Sequence, residues 1–514
     1  MGRIEKAKKN LIFSLGNNLF TTLLTFATRT IFIYTLGLNY LGLNGLYTNI
    51  LSLLAIAELG IGNAISFSLY KPLAEKNEDK IASYIILYKK AYFFIGVIIS
   101  VVGIILVPFL HNFINFNGNV NINYQAIYIL FLINTVLPYF LFTYKISLLY
   151  ADQKNYIVSK FDIKFNFLNT VTQFLLLFFL KSYYLYLISQ ILFTTCKNYR
   201  LSKFVDKHYS FLKNKKNSNL NRIEIRTLVK NVYALSLTKI SGVVYSSTDN
   251  LIISTFISTV TVGLYSNYTM ITNMLKSIIS SIFNSFTASV GNLNAESSVE
   301  NLYINFKRLN FINFWIYGCC FICLDNLLNN FISVWVGENA IFDDITVFLI
   351  SLLFLIPGMN NVINIFKDAC GLYWQTKYRA LATAIVNLLV SLLLVRYLKI
   401  QGIFIGTIVA YLTTIYVKDP QVVFNECFNI SCFIYHKELI SRFFLIFIVD
   451  FGVKIINPLF NVYFSGIILF FMKAIFTFSI SNLIFIIFFF KTEEFKFFYL
   501  YLKNNLLKII FKRS

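Results

Sequence analysis

The chain has 514 residues, of which 57% are hydrophobic and only 13% are charged. A soluble protein of this length carries roughly a quarter charged residues, so this composition excludes a soluble architecture and favours a membrane protein. The formal net charge of +22 does not indicate nucleic-acid binding, because the basic residues are spread over many short segments beside apolar stretches. Basic residues in such positions anchor a membrane protein to anionic lipid.

About fourteen apolar stretches along the chain have the length of a transmembrane helix. Most lysines and arginines fall in alternate connections, which is the positive-inside pattern of a multi-pass membrane protein with both termini in the cytoplasm. We therefore predict an all-α fold with about fourteen transmembrane helices. The predicted spans, numbered one to fourteen, are 11–36, 41–69, 91–111, 124–149, 161–180, 183–199, 230–256, 262–288, 309–329, 345–366, 380–395, 401–417, 443–457 and 463–490.

A short internal repeat indicates two related halves. Residues 45–49 read Gly-Leu-Tyr-Thr-Asn at the start of span two, and residues 263–267 read Gly-Leu-Tyr-Ser-Asn at the start of span eight. Because each half holds six spans, we expect parallel repeats around a central cavity, with spans thirteen and fourteen added. The predicted domains are an N-terminal six-helix lobe 1–200, a basic cytoplasmic linker 201–229, a C-terminal six-helix lobe 230–420, and helices thirteen and fourteen with a basic cytoplasmic tail 421–514.

Charged side chains inside the spans are the candidate functional residues, because each costs at least ~2.5–3.5 kcal/mol at the bilayer centre. Lys276 in span eight lies too deep for its side chain to reach the interface, and Lys239 in span seven is similarly deep. Glu58 is deep in span two, whereas Arg29 lies close enough to the end of span one to extend outward.

Charges near the outer ends are expected to have a structural role. Asp450 and Lys454 lie one turn apart in span thirteen, so we expect them to neutralise each other. Asp325 lies near the outer end of span nine and is expected to meet water.

Polar side chains recur at helical spacing on single faces of three spans, and such a face lines a cavity or joins helices. Four or five polar groups in register, each set with a basic residue, favour a cavity. The stripes are Asn18, Thr22, Thr25 and Arg29 in span one; Thr269, Asn273, Lys276, Ser280 and Asn284 in span eight; and Ser236, Lys239, Ser246 and Asn250 in span seven, with Asp249 beside them.

Together these stripes predict a cationic central cavity. A basic site with hydroxyl and amide groups suits a diphosphate that carries sugars. The alternative is an internal hydrogen-bond network in which Glu58 pairs with Lys239 or Lys276. The predicted substrate-binding residues are Arg29, Lys239, Lys276, Asn18, Thr25 and Asn273, and the predicted ion-coupling or charge-pairing residues are Glu58 and Asp249.

Several short segments, taken in order, resemble the bacterial flippases that export O-antigen or capsule repeat units. These flippases belong to the multidrug/oligosaccharidyl-lipid/polysaccharide exporter superfamily. The resemblance covers about residues 5–420 and implies two six-helix bundles that give alternating access to a lipid-linked oligosaccharide on undecaprenyl diphosphate. The segments that carry it are 29–31, 36–37, 58–62, 69–70, 150–156, 248–250, 262–265 and 402–407.

The resemblance implies a monomeric flippase in the bacterial cytoplasmic membrane that moves this cargo to the outer leaflet for surface polysaccharide assembly. The sequence leaves open whether H⁺ or Na⁺ is the coupling ion. It also leaves open whether a polysaccharide polymerase is a partner beside membrane lipid. Spans thirteen and fourteen resemble the added pair of peptidoglycan-precursor flippases, so that cargo is one alternative. A multidrug or cation antiporter of the same superfamily is another.

Enzymatic chemistry has no support in the sequence. The chain contains no P-loop, no G-x-G-x-x-G and no H-E-x-x-H motif. We therefore expect no catalytic residue, no cofactor, no metal site and no nucleic-acid partner.

Overall fold

The computed structural model is helical almost throughout the residues that it describes, and these residues contain no β-strand. The predicted all-α class is confirmed. The chain forms two compact units, Met1–Ser266 and Asn267–Ser514. The four predicted domains stay a prediction, and Lys239 lies outside the described residues. The described residues are 3–58, 68–70, 72–73, 75–115, 122–152, 154–214, 221, 226, 247–284, 286–296, 298–372, 375–500 and 503.

The described part of the N-terminal unit contains seven helices of nine residues or more, the helical segment 247–256 and the beginning of α8. A 3₁₀ turn, Ala55–Glu58, continues α2. The helices are α1 (Arg3–Leu36), α2 (Leu38–Leu54), α3 (Glu78–Leu106), α4 (Tyr124–Phe140), α5 (Thr143–Ala151), α6 (Asn155–Leu175), α7 (Tyr183–His208) and the start of α8 (Thr259–Asn284).

The C-terminal unit continues α8 and adds helices up to the last predicted span. They are α9 (Thr287–Glu296), α10 (Val299–Trp335), α11 (Asp344–Met359), α12 (Asn361–Ala369), α13 (Arg379–Ala410), α14 (Tyr416–Val423), α15 (Phe433–Ile456) and α16 (Gly466–Phe489).

The chain is a multi-pass membrane protein by the length and apolarity of its helices. Six helical stretches among the described residues are long and apolar enough to cross a bilayer, or seven if the bent pair α4 and α5 forms one span. The number fourteen stays a prediction. Several helices run beyond the predicted spans: α10 has 37 residues, and α3 begins at Glu78 rather than near residue 91. Hydropathy marks only the part of a helix in hydrocarbon, whereas its polar end remains helical in water.

Span four is broken where the sequence predicts one helix. Its two parts, α4 and α5, meet at an angle of 59°. Phe142 at the junction has a φ of 68°, and Pro138 lies in the preceding turn. Proline removes a backbone donor and favours a bend at this point.

Spans eleven and twelve form a helical hairpin, and α13 runs through the first and most of the second. The chain reverses at Lys399, whose φ of 48° is not helical. Asn387 Nδ2 donates to Thr407 Oγ1 across the hairpin at 2.7 Å. A Cβ on Gly402 would lie 2.6 Å from the carbonyl oxygen of Leu394, so a glycine here lets the two helices approach closely. The helical path continues to Phe428, beyond the predicted end of span twelve at residue 417.

Aromatic side chains fill much of each core. In the N-terminal unit, the rings of Tyr47 and Tyr128 meet edge to face at 5.3 Å. The Tyr47 hydroxyl donates to the Tyr124 carbonyl oxygen at 2.8 Å, so this buried hydroxyl has the hydrogen-bond acceptor that it needs. In the C-terminal unit, Phe306 packs against Phe366 with ring centroids 5.2 Å apart.

The segment 254–263 packs on the N-terminal helices. The Thr259 amide donates to the Asn115 carbonyl oxygen at 2.7 Å, and the Asn115 amide donates to Thr259 Oγ1 at 3.0 Å. The start of α8 also crosses the start of α2 at two glycines, Gly42 and Gly263. The second copy of the repeat therefore begins where the backbone of α8 meets that of α2, three residues before the first copy.

Alanine at either crossing glycine is expected to destabilise the N-terminal unit by about 1–3 kcal/mol, because it overpacks a contact between backbones. A Cβ on Gly42 would overlap the carbonyl oxygen of Thr259, and one on Gly263 would lie 2.7 Å from that of Leu38. Thermal unfolding of the purified protein in detergent measures the effect. Gly452→Ala is the control, since a Cβ there meets no atom within 4 Å. Unchanged unfolding midpoints in both crossing variants would contradict this packing.

Candidate functional site

A polar cavity of about 260 Å³ lies within the N-terminal unit, among α1, α2, α6 and α7. Amide and hydroxyl side chains dominate its wall, and Arg29 is its one basic lining residue. The lining residues are Thr21, Leu24, Thr25, Thr28, Arg29, Phe32, Leu41, Asn44, Asn166, Asn169, Thr170, Gln173 and Tyr186.

Arg29 is held in this cavity by the start of α8. Its guanidinium donates to Ser266 Oγ, and the Ser266 hydroxyl donates to the Gly263 carbonyl oxygen at 2.6 Å. Ser266 belongs to the second copy of the repeat. A hydroxyl within the unit thus provides a hydrogen-bond acceptor for Arg29, and its predicted outward extension stays a prediction.

The polar face of α6 was missed at the sequence level. Four of its residues line the cavity opposite α1, and Gln173 is only 4% exposed. Their spacing of i, i+3, i+4 and i+7 is the same helical signal that was used for span one. The charged residues of this span, Asp162 and Lys164, lie at its predicted inner end, so the polar face includes no deeply placed charge. The four cavity-lining residues are Asn166, Asn169, Thr170 and Gln173.

The other predicted residues of span one are only partly described. Thr25 lines the cavity with Arg29, and its hydroxyl donates to the Thr21 carbonyl oxygen at 2.8 Å. Asn18 lies in α1, but its side chain is outside the described residues. Arg29 and Thr25 are therefore the two predicted binding residues that the fold brings to this cavity.

Glu58 lies in a separate pocket of tyrosines in the N-terminal unit. The hydroxyls of Tyr92 on α3 and Tyr139 on α4 each donate to one of its carboxylate oxygens. The rings of Tyr88 and Tyr92 lie 4.3 Å apart beside it. These two hydroxyls are its hydrogen-bond partners among the described residues, so the tyrosines solvate the carboxylate there.

Phenylalanine at Tyr92 or Tyr139 is expected to destabilise the protein by about 1–3 kcal/mol, because each variant takes one donor from a buried carboxylate. The midpoint of thermal unfolding measures this loss. Tyr463→Phe is the control, since Tyr463 is 78% exposed. If Tyr92→Phe and Tyr139→Phe unfold like this control, the two hydroxyls do not hold Glu58.

Lys276 lies in the C-terminal unit on α8 and is partly buried. Its ammonium donates to the carbonyl oxygen of Leu353 on α11 at 3.1 Å. Within the part of the chain that the structure describes, no carboxylate forms an ion pair with it. A buried ammonium with only a neutral acceptor retains most of its positive field for an anion.

The acceptor of Lys276 is available because of a proline. In an α-helix the carbonyl of Leu353 would accept from the amide of residue 357, but Pro357 has no amide hydrogen. Lys276 therefore supplies a hydrogen-bond donor to the Leu353 carbonyl oxygen, which Pro357 leaves without one. This contact explains in part why a lysine is tolerated so deep in a predicted span.

The remaining predicted residues differ in their surroundings. Asn273, also on α8, is exposed, whereas Asp249 in the helical segment 247–256 is buried. Asp249 acts electrostatically on the buried hydroxyl of Tyr265. Among the described residues no group of three or more histidine, cysteine, aspartate or glutamate side chains has the arrangement of a metal site.

The structure resembles solved transporters over most of its length. An inward-facing structure of a multidrug resistance MATE family transporter of the MOP superfamily shares 14% identity, with 80% of this chain and 97% of that protein covered and a TM-score of 0.63. The lipid II flippase MurJ in an inward closed conformation shares 13% identity, with 92% and 98% covered and a TM-score of 0.64.

A third solved structure is that of a MOP superfamily transporter from Pyrococcus furiosus, whose binding pocket is described as having reverse polarity. It shares 11% identity with this chain. The match covers 80% of this chain and 94% of that protein, with a TM-score of 0.54. No protein-family model and no curated protein matches the chain. The chain therefore has the fold of MOP-superfamily membrane transporters, and its structural neighbours are transporters and a flippase rather than enzymes.

Proposed function

We propose that the protein translocates oligosaccharides linked to undecaprenyl diphosphate from the cytoplasmic to the outer leaflet of a bacterial membrane. The observation that carries this proposal is Arg29, which projects into a cavity lined by amides and hydroxyls. A guanidinium binds phosphate oxygens through two parallel hydrogen bonds, and amides and hydroxyls suit sugar hydroxyls. The polyprenyl chain would stay in the bilayer.

Lys276 supports the same assignment as a second cation for the diphosphate. Its ammonium has a carbonyl rather than a carboxylate as its partner in the described part of the chain. Moving from that carbonyl to a phosphate exchanges a neutral acceptor for a charged one, and charge-assisted hydrogen bonds are roughly twice as strong. Lys239 remains the third predicted member of this set.

The membrane potential would then act mainly on the return step. A site loaded with diphosphate is close to neutral, so its outward movement meets little field. The emptied site is positive, and an interior-negative potential favours its return by about 2.3 kcal/mol per charge per 100 mV. Glu58 and Asp249 remain candidates for coupling to H⁺ or Na⁺.

The second candidate cargo is the peptidoglycan lipid precursor. The lipid II flippase structure covers 92% of this chain, whereas the MATE transporter covers 80%. The resemblance of spans thirteen and fourteen to the added pair of peptidoglycan-precursor flippases favours the same alternative. A multidrug or cation antiporter has less support, because a basic cavity disfavours cationic drugs.

Proteoliposomes test the proposal directly. Undecaprenyl-diphosphate-linked oligosaccharide, lipid II and a cationic dye are offered separately to the purified protein under an imposed potential. Appearance of the first lipid in the opposite leaflet, measured by its accessibility to a sugar-modifying enzyme, is the expected result. Transport of lipid II alone would identify the second candidate, and transport of the dye alone would overturn both.

A further inference from the structure

A second charged cluster lies in the C-terminal unit, apart from the cavity and from Lys276. Lys454 Nζ on α15 lies 2.5 Å from Asp325 Oδ2 on α10 and 3.7 Å from Asp450 Oδ2, one turn away on α15. The predicted Asp450–Lys454 pair is confirmed, but the prediction that Asp325 meets water is wrong. The side chains of Asp325 and Asp450 are 1% and 5% exposed, whereas that of Lys454 is 36% exposed.

The charges of this cluster do not balance when both acids are ionised. Two carboxylates then share one ammonium, which leaves one negative charge in the protein interior. An uncompensated buried charge costs several kcal/mol even after relaxation. The cluster is therefore neutral only if it takes up one further positive charge.

The neighbouring helices do not supply this charge in the described part of the chain. From α11, Asp344 adds a negative charge that acts on Asp325 and Lys454, and Phe348 offers its ring to Lys454 at 5.0 Å. Lys473 on α16 is not among the charges that act on either carboxyl group. The faces of α10, α11, α15 and α16 thus bring three acids and one lysine to this place.

The contacts of the two carboxyl groups indicate where a proton fits. Asp325 Oδ2 and Asp450 Oδ2 lie 2.5 Å and 3.7 Å from the same Lys454 nitrogen, so the two carboxyl groups are close neighbours. Asp450 Oδ1 accepts from Asn326 Nδ2 at 2.8 Å, whereas the buried Asp325 Oδ1 receives no hydrogen bond from the described residues. Two ionised carboxylates have no hydrogen to donate, so a hydrogen bond between them requires a proton on one of them.

We propose that Asp325 and Asp450 form a proton-binding site that holds one shared proton beneath Lys454. The proton neutralises the second carboxylate and makes the cluster of Asp325, Asp450 and Lys454 neutral. A metal cation does not fit as well, because the ammonium already occupies Asp325 Oδ2 at 2.5 Å and repels a second cation. The site is independent of the cargo, and Lys454 connects it to the surface.

The shared proton joins the added helices to the rest of the unit. Asn457 at the end of α15 donates to Asn326 Oδ1 on α10 at 3.0 Å and to Thr477 Oγ1 on α16 at 3.4 Å. The protonated cluster therefore holds α15 against α10, and Asn457 extends this contact to α16. Loss of the proton leaves two adjacent carboxylates, whose repulsion weakens this contact.

Infrared spectroscopy of the full-length protein, labelled with ¹³C-aspartate in lipid nanodiscs, tests the site. The expected result is a protonated-aspartate C=O band at pH 7 that disappears on alkaline titration. Asp450→Asn and Asp325→Asn should each abolish the band, because the remaining carboxylate then has Lys454 to itself. Asp206→Asn is the matched control and should keep it, since Asp206 forms an ion pair with Lys145 at 2.7 Å.

Two results would overturn the proposal. The first is the absence of a protonated-aspartate band in the unmodified protein at neutral pH, which would mean that both acids are ionised. The second is a band that persists in Asp450→Asn and Asp325→Asn. If one of the variants does not fold, the unmodified protein and the other variant still decide the question.

Discussion

Replacing Arg29 with alanine is expected to reduce translocation of the lipid-linked oligosaccharide by about 10- to 100-fold. A hydrogen bond to a charged group contributes about 1.5–3 kcal/mol, and each 1.4 kcal/mol is a factor of ten. Initial rates in proteoliposomes measure the effect. Arg29→Lys should recover only part of the activity, because an ammonium keeps the charge but loses the planar fork that binds two phosphate oxygens.

The matched control for Arg29 is another arginine, Arg396, which directly follows the predicted end of span eleven. Arg396→Ala removes an exposed guanidinium in the C-terminal unit and should leave the rate unchanged. An unaltered rate in Arg29→Ala would remove this residue, and the cavity around it, from the transport mechanism.

Replacing Lys276 with methionine is expected to have two separable effects. Translocation should fall by about 10- to 100-fold if the ammonium binds diphosphate, for the same energetic reason as at Arg29. Stability should also fall by about 1–3 kcal/mol, because the Leu353 carbonyl oxygen then has no donor. Rates in proteoliposomes and the midpoint of thermal unfolding measure these effects in the same preparations.

A second substitution on α11 separates the two roles. Pro357→Ala restores an amide hydrogen that is able to reach the Leu353 carbonyl oxygen within the helix. The double variant Lys276→Met with Pro357→Ala should therefore regain stability without regaining transport. Recovery of both would show that Lys276 serves only as the hydrogen-bond donor to the Leu353 carbonyl oxygen. Lys276 would then no longer be a proposed diphosphate-binding residue.

The local features of the fold were predictable. Runs of apolar residues indicated the spans, and the bias of basic residues indicated a multi-pass membrane protein, because both depend only on how each short segment partitions between water and lipid. The contact of Gly402 with Leu394 is local as well, since it lies within one hairpin, between segments that are neighbours along the chain.

The partners of the charged residues were harder to predict. The pair Asp450 and Lys454 was found because its members are one turn apart, but Asp325 comes from another helix and no spacing connects it to them. Arg29 and Lys276 likewise find their acceptors, Ser266 and Leu353, far along the chain. Hydropathy and periodicity describe one helix at a time and carry no information about which helix lies opposite.

The sequence alone was sufficient to establish that this chain is helical and embedded in a membrane, since these properties follow from the solvation of each segment. It also showed which side chains are costly to bury. How that cost is offset depended on the packing of distant helices: tyrosines around Glu58, the Ser266 hydroxyl at Arg29, and a proline-freed carbonyl at Lys276. Such compensation requires groups within about 3 Å of each other, and only the folded chain brings them that close.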